Sequence, residues 1–524
     1  MVRGISYIAA IAAAFSGMLG AGAAQAKANW TRAETRHFVF FSSGQPAELE
    51  TFAIEAEKFD AMLRARFNIP EDEIVNRLTI YVLPDGASVA KLMGDPNSGL
   101  AGFYKASPEG SFAVSNRDRA DSKFESSGQQ VLFHEYTHHF FSRYLPAAYP
   151  VWLGEGFAEY YSTTTFKKDG TYTYGAPVWG RAYGLVEGKQ IPIRTILFNG
   201  TEGMDARTAD IFYGRSWLFT HSMMSTPEGL KTLDTYIADL NHGLDPKEAA
   251  QKDFGDLDAL DKAVEKMERQ PLTMFTSKLP VTFDAGYVAV RLDEPQSRLI
   301  ELQLQRRAQE DKVPARDALR ALAAAYPGRA DVLYELAEAE YDVARQTTGE
   351  AAENVALAET ETAADRVLAI QPGHARANVL KAEVMLDRYG SKDGNYIAAR
   401  KYLVKANRAD TDDPLPLYLY YQSYAQNGEH PPEIALDGLY QSFSRAKEVT
   451  DFRIALAYAL VDERRYDEAI QLVRFLAGDP HGGAQGKAIL AELLQAKQTY
   501  EESGEAPPAD AKGASAQLQG SGNS

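Results

Sequence analysis

Residues 131–140 read VLFHEYTHHF, and the five in the middle, His134-Glu135-Tyr136-Thr137-His138, govern how the rest of the chain is read. Apolar residues from Gln129 to Leu145 recur at helical spacing, which predicts a helix. Residues four apart share one face of a helix. His134 and His138 can therefore each aim an imidazole nitrogen at one metal, at roughly 2.0–2.1 Å. Glu135 lies about 100° around the helix from His134, too far to ligate with relaxed geometry but close enough to serve as a general base toward a water at the site. His139, adjacent to His138, points about 100° away and reads as structural or supporting. With nine His in 524 residues, chance produces an HExxH in only about 0.01 of such chains, so the motif favours a real site.

Two His leave a metal short of a protein ligand. A candidate, Glu155, follows in Trp152-Leu153-Gly154-Glu155-Gly156-Phe157-Ala158-Glu159-Tyr160. HEYTH followed by WLGEGFAEY resembles the gluzincin metallopeptidases, whose third zinc ligand is a Glu on the next helix. The segment is similar to the WLNEG-type ligand helix of one-zinc aminopeptidases and of bacterial peptidase-like proteins carrying helical repeats. The resemblance implies Zn2+ held by His134, His138 and Glu155, with Glu135 as general base. It also implies a supporting role for Glu159, accepting a hydrogen bond from a ligand His ring. The implied fold is α+β: a zincin-like mixed sheet with an active-site helix, then a helical lobe. That family stabilises the oxyanion with a Tyr or His after the ligand helix. Tyr213 and His221 are the candidates here, and Tyr213 is preferred because it precedes the amphipathic run Ser216 to Met224, projecting from a helix end. One departure matters. The aminopeptidases hold the substrate amine with a Glu in a G-x-M-E-N segment, whereas Gly99 to Tyr104 contains no acid. An endopeptidase is the expectation.

Working outward toward the N-terminus, His37 to Ser43 reads as a strand, Leu49 to Phe67 as a helix, and Leu78 to Leu83 as a second strand closed by Pro84-Asp85-Gly86. Gly102 to Tyr104 and Ser111 to Ser115 form a hairpin around Pro108-Glu109-Gly110. Beyond about Arg298 the chain turns Ala-, Leu- and Tyr-rich. Asp462 to Ile470, with Ala457, Leu460, Ala469, Val473, Leu476 and Pro480, resembles a tetratricopeptide (TPR) unit. Three or four degenerate helix pairs are expected, making an all-α TPR-like solenoid that binds substrate or a protein partner. The expected organisation is therefore a peptidase-like domain over 27–275, a linker over 276–297, repeats over 298–500 and a disordered tail over 501–524. The Pro280 and Pro295 breaks suggest that the two halves fold separately.

Composition narrows the function further. The chain carries 55 Lys+Arg against 72 Asp+Glu, a net charge of −17, which disfavours nucleic acid as a partner. It has no Cys, so any metal must be held by His, Asp or Glu. Arg3, the apolar stretch Ile5 to Gly20 and Ala24-Gln25-Ala26 read as a signal peptide cleaved after Ala26. About 16 apolar residues fall short of the ~20 needed to span a bilayer. The expectation is a periplasmic or secreted protein with no membrane anchor after cleavage. No P-loop or Rossmann fingerprint follows a strand. The alternative to a zinc metallopeptidase is a TPR-type scaffold with a metal-binding but non-catalytic domain. An intact Glu135 favours the enzyme, because a general base has no structural duty.

Overall fold

The computed structural model describes residues 29–71, 76–120, 122, 125–181, 191–201, 203–268, 270–388, 393–478 and 483–503. The expected signal peptide and the tail beyond Ser503 lie outside the described residues. The fold is mixed α/β, with two small sheets and many helices.

Strands β1 (Thr31–Glu34), β2 (Phe38–Ser42), β3 (Leu78–Leu83), β4 (Phe103–Lys105) and β5 (Phe112–Asn116) occupy one sheet. Its order, β4-β5-β3-β2-β1 with one further strand beyond β1, mixes parallel β2–β3 and β3–β5 pairs with antiparallel edges. Helix α1 (Pro46–Phe67) returns the chain for the parallel pair, and α2 (Gly86–Leu92) follows β3. The expected hairpin is present, with Phe103 opposite Val114 and Lys105 opposite Phe112. Two helices follow, α3 (Gly128–Tyr144) and α4 (Val151–Ser162). A second sheet comprises β6 (Thr165–Phe166), β7 (Tyr172–Tyr174) and, later, β8 (Phe275–Thr276). Between them lie α5 (Ile193–Phe198), α6 (Ala206–Met224), α7 (Pro227–Asn241), α8 (Pro246–Phe254) and α9 (Leu257–Met267). The main core joins one face of the first sheet to these helices. Phe59 of α1 stacks on Phe133 of α3 at 4.0 Å, and Trp152 of α4 packs on Phe219 of α6 at 4.7 Å.

The stretch 276–297, expected as a linker, contains strand β9 (Val288–Arg291), which pairs antiparallel with β1. Its Val288-Ala289-Val290 alternation suits an edge strand. The next helix, α10 (Glu294–Ala308), then lies across the other face of the same sheet. There Leu292, Ile300 and Leu304 share a core with Trp30, Phe41, Tyr81 and Phe112. The expected boundary near 297 therefore cuts through a packed core. A sheet with two apolar faces needs a cover on each, and the second cover comes from the C-terminal half.

Among the described residues ten more helices follow: α11 (Val313–Ala325), α12 (Ala330–Gln346), α13 (Glu350–Ile370), α14 (Ala375–Asp387) and α15 (Asp393–Ala409), then α16 (Leu415–Ala425), α17 (Glu433–Arg445), α18 (Thr450–Asp462), α19 (Tyr466–Ala477) and α20 (Gly483–Ser503). This exceeds the three or four pairs read from the sequence, and α20 runs three residues into the expected tail. Each helix packs on the next, and α10, α12, α14 and α16 also touch in succession as an inner row. Ala457, Leu460, Ala469, Val473 and Leu476 are all buried between α18 and α19 and their neighbours. Arg464, in the left-handed conformation, turns the chain between those two helices.

The inner row faces the first half through buried charge. Arg306 of α10 meets Glu335 at 2.6 Å, Asp342 at 2.7 Å and Glu109 of the β4–β5 hairpin tip at 2.8 Å. Outside that row, Glu448, between α17 and α18, meets Arg143 of α3 at 2.9 Å.

Candidate metal centre

Helix α3 starts where Ser127 caps it, its side chain accepting from the Gln130 amide at 3.2 Å. Gly128 sits hard against β5: a Cβ there would lie 1.8 Å from the Asn116 carbonyl. The helix is thereby fixed to the sheet at its first residue. Its apolar face, with Leu132, Phe133, Phe140 and Phe141, is buried, and the His134/His138 face is left partly open. Helix α4 follows Pro150, and Gly156 lets it approach α6, since a Cβ there would meet Thr220 Oγ1 at 2.0 Å. That approach holds Glu155 across from the two imidazoles.

The three donors converge. His134 Nε2 lies 3.3 Å from His138 Nε2 and 3.4 Å from Glu155 Oε2, and His138 Nε2 lies 3.8 Å from the same oxygen. Ligands at roughly 2.0–2.1 Å from a tetrahedral ion sit about 3.3 Å apart, so the donor set fits one small divalent ion. Its chemistry, two imidazoles and a carboxylate, suits zinc. Glu155 is 1% exposed, a buried carboxylate that a cation or proton beside it stabilises. The field at the centre is negative. Burial pulls the His134 imidazole down, but the Glu155 hydrogen bond and the charges of Glu159, Glu135 and Glu155 outweigh it and push its pKa up to about 9. Carboxylates gathered around an imidazole favour positive charge there, which a proton or a metal ion can supply.

Glu159 stands behind the cluster. Its Oε1 is 3.8 Å from His134 Nδ1, longer than a hydrogen bond, and accepts instead from Arg181 Nε at 2.9 Å and Nη2 at 2.8 Å. Arg181 also reaches Asp210 at 2.6 Å and lies 5.1 Å from the centre of the Tyr213 ring. Tyr213 thus stands beside Arg181, on the Glu159 side of the cluster. Burial, then the Glu155 charge, push its hydroxyl pKa up to about 12, with Glu159 and Glu135 adding to the effect. It stands two turns inside α6, not near the helix start read from the sequence. A neutral phenol beside three carboxylates is equipped to donate a hydrogen bond to a developing oxyanion.

His221 is elsewhere. It is 2% exposed, with Nε2 at 2.7 Å from the Thr273 carbonyl and Nδ1 at 3.3 Å from Ser225 Oγ. Both ring nitrogens are engaged away from the donor cluster. His139 is structural: its Nδ1 lies 3.0 Å from the Tyr104 hydroxyl, and burial lowers its pKa to about 4.

Arg181 and Asp210 escaped the sequence reading. Asp210 and Tyr213 lie three apart on one helix face, a signal that was available; Arg181 had none. The reading also missed the network beneath the HEYTH helix. The Tyr136 hydroxyl donates to Asp60 Oδ1 at 2.6 Å, and Arg64 Nε donates to Asp60 Oδ2 at 2.8 Å. His37 Nδ1 meets Glu57 at 2.6 Å. His37, Asp60 and Glu71 also bring three possible donors together. There, however, the carboxylates already hold cations: Arg64 on Asp60 and Arg36 on Glu71 at 3.0 Å. This second cluster is an ion-pair network.

Comparison of the chain with protein-family models gives no match, and comparison with curated proteins gives no significant one. Among the described residues, no helix is long and apolar enough to cross a membrane.

Proposed function

We propose that the protein is an exported zinc-dependent metallopeptidase, acting as an endopeptidase on peptide or protein substrates. In this reading the sheet and α3 are zincin-like, and the helices after α10 are TPR-like. The observation that carries it is the convergence of His134, His138 and Glu155 at 3.3–3.8 Å, with Glu135 next to His134 on α3. Zinc, when bound, would act as a Lewis acid and lower the pKa of its water toward ~7. Glu135 takes the proton from the attacking water and returns it to the leaving amine. Tyr213 donates to the oxyanion, and Glu159, anchored by Arg181, sets negative charge beside His134. Export is supported by the N-terminal Arg3, the apolar run and Ala24-Gln25-Ala26. The test is hydrolysis of unfolded casein by the full-length protein before and after chelation, with zinc added back. Loss on chelation and recovery on add-back are expected. Activity indifferent to chelation would overturn the reading.

A further inference from the structure

A cavity of about 330 Å³ opens beside the donor cluster. One wall belongs to the first half: Tyr104 of edge strand β4, with His138 and Phe141 of α3. The opposite wall belongs to the C-terminal helices: Asp451 and Ile454 of α18, and Phe475 of α19. The metal-site helix and the C-terminal helices therefore enclose one space. Its volume lies at the lower end of ligand pockets, about 300–1,000 Å³, which suits a side chain rather than a folded partner.

The polar groups on the far wall differ in state. Glu448 is spoken for, held by Arg143 at 2.9 Å and by Ser111 at 3.3 Å. Asp451 is partly buried, and among the described residues no hydrogen bond or ion pair engages its carboxylate. Burial pushes that carboxyl up, opposed by the charge of Arg345. Lys105 also borders the cavity, as an exposed side chain that forms no ion pair with Asp451 among the described contacts. Asp451 sits in the first turn of α18, where any acid complements the helix N-terminus. That duty does not require it to line a cavity shared with a metal-donor helix.

We propose that this cavity is a substrate subsite built jointly by the two halves of the chain, and that it takes a lysine or arginine side chain next to the bond cleaved. The proposal rests on the metallopeptidase reading. The aliphatic stem of such a side chain packs along Phe141, Ile454 and Phe475, and its cationic head meets Asp451 in a charge-assisted hydrogen bond.

The test uses the full-length zinc-loaded protein and fluorogenic peptides that differ only in carrying Lys, Leu or Glu at one position. The expected result is a kcat/KM roughly 10–100-fold higher for Lys than for Leu, the usual worth of a hydrogen bond to a charged group. Asp451→Asn should collapse that ratio with zinc content unchanged, and Asp451→Arg should shift preference toward Glu. Cleavage with no Lys preference, or a preference that survives Asp451→Asn, overturns the subsite. If no peptide is cut in any metal state, the metallopeptidase reading fails by itself. The subsite is then judged by fluorescence anisotropy of the same labelled peptides. Tighter Lys-peptide binding that is lost in Asp451→Asn upholds it, and equal binding overturns it.

Discussion

Arg143, on the helix that carries His134 and His138, forms a buried ion pair with Glu448 at 2.9 Å, across 305 residues of chain. Arg143 Nη1 also donates to the Arg445 carbonyl at 3.0 Å. Both side chains are under 8% exposed, so removing either partner strands the other charge in the interior. Glu448→Ala should destabilise the protein by about 3–5 kcal/mol. Urea denaturation checks this; a midpoint equal to wild type would mean that the pair is worth nothing.

The shared core makes a second prediction about truncation. A chain ending at Phe275 loses β9 from the sheet edge and Leu292, Ile300 and Leu304 from the cluster around Trp30 and Tyr81. It also leaves Arg143 unpaired. Such a chain should aggregate or lack a cooperative thermal transition by circular dichroism. A soluble, cooperatively folding 27–275 fragment would show that the sheet needs no cover from the C-terminal half.

How much of this was legible in the sequence follows from the range of each interaction. His134, Glu135 and His138 were readable because helix geometry fixes their relative directions, and Glu155 through the resemblance that WLGEGFAEY carries. Asp60 and Arg64 left a trace, as charges interrupting the apolar stripe of α1 that includes Phe59, Met62 and Leu63. Strand β9 was hidden between Pro280 and Pro295, its four residues too few for a periodic signal. The pairings Arg143–Glu448 and Arg306–Glu109, and the far wall of the cavity, join residues roughly 200–300 apart. No local periodicity encodes them.

The His37 network predicts a pH dependence. Burial opposes the charged imidazole, but the Glu57 hydrogen bond and the Asp60 and Glu57 charges win over it and over Arg64, so the folded pKa of His37 is raised. Glu71 also faces the ring at 3.5 Å. A raised folded pKa stabilises fully below the unfolded value of about 6.5 and is lost as pH climbs through the folded value. His37→Gln should therefore cost more stability at pH 6 than at pH 9. Parallel urea curves for wild type and variant across that range measure it; a constant difference would contradict the assignment.

Ligand and supporting carboxylates should separate by titration with a zinc indicator. Glu155→Ala should lose the metal, whereas Glu159→Ala should weaken binding about 10–100-fold. Arg181→Ala should resemble Glu159→Ala, because Arg181 holds that carboxylate at 2.8–2.9 Å. Abolished binding in Glu159→Ala with Glu155→Ala intact would move the ligand by one helical turn.

The central claim is that Glu135 moves a proton and does not hold the metal. The direct measurement pairs metal content with peptide hydrolysis in wild type and Glu135→Gln. Stoichiometric zinc in both, with at least a hundredfold loss of hydrolysis in the variant, is the predicted result, since positioned acid–base groups contribute roughly 10²–10⁴-fold. Equal hydrolysis by the two proteins, or loss of zinc from Glu135→Gln, would contradict the account.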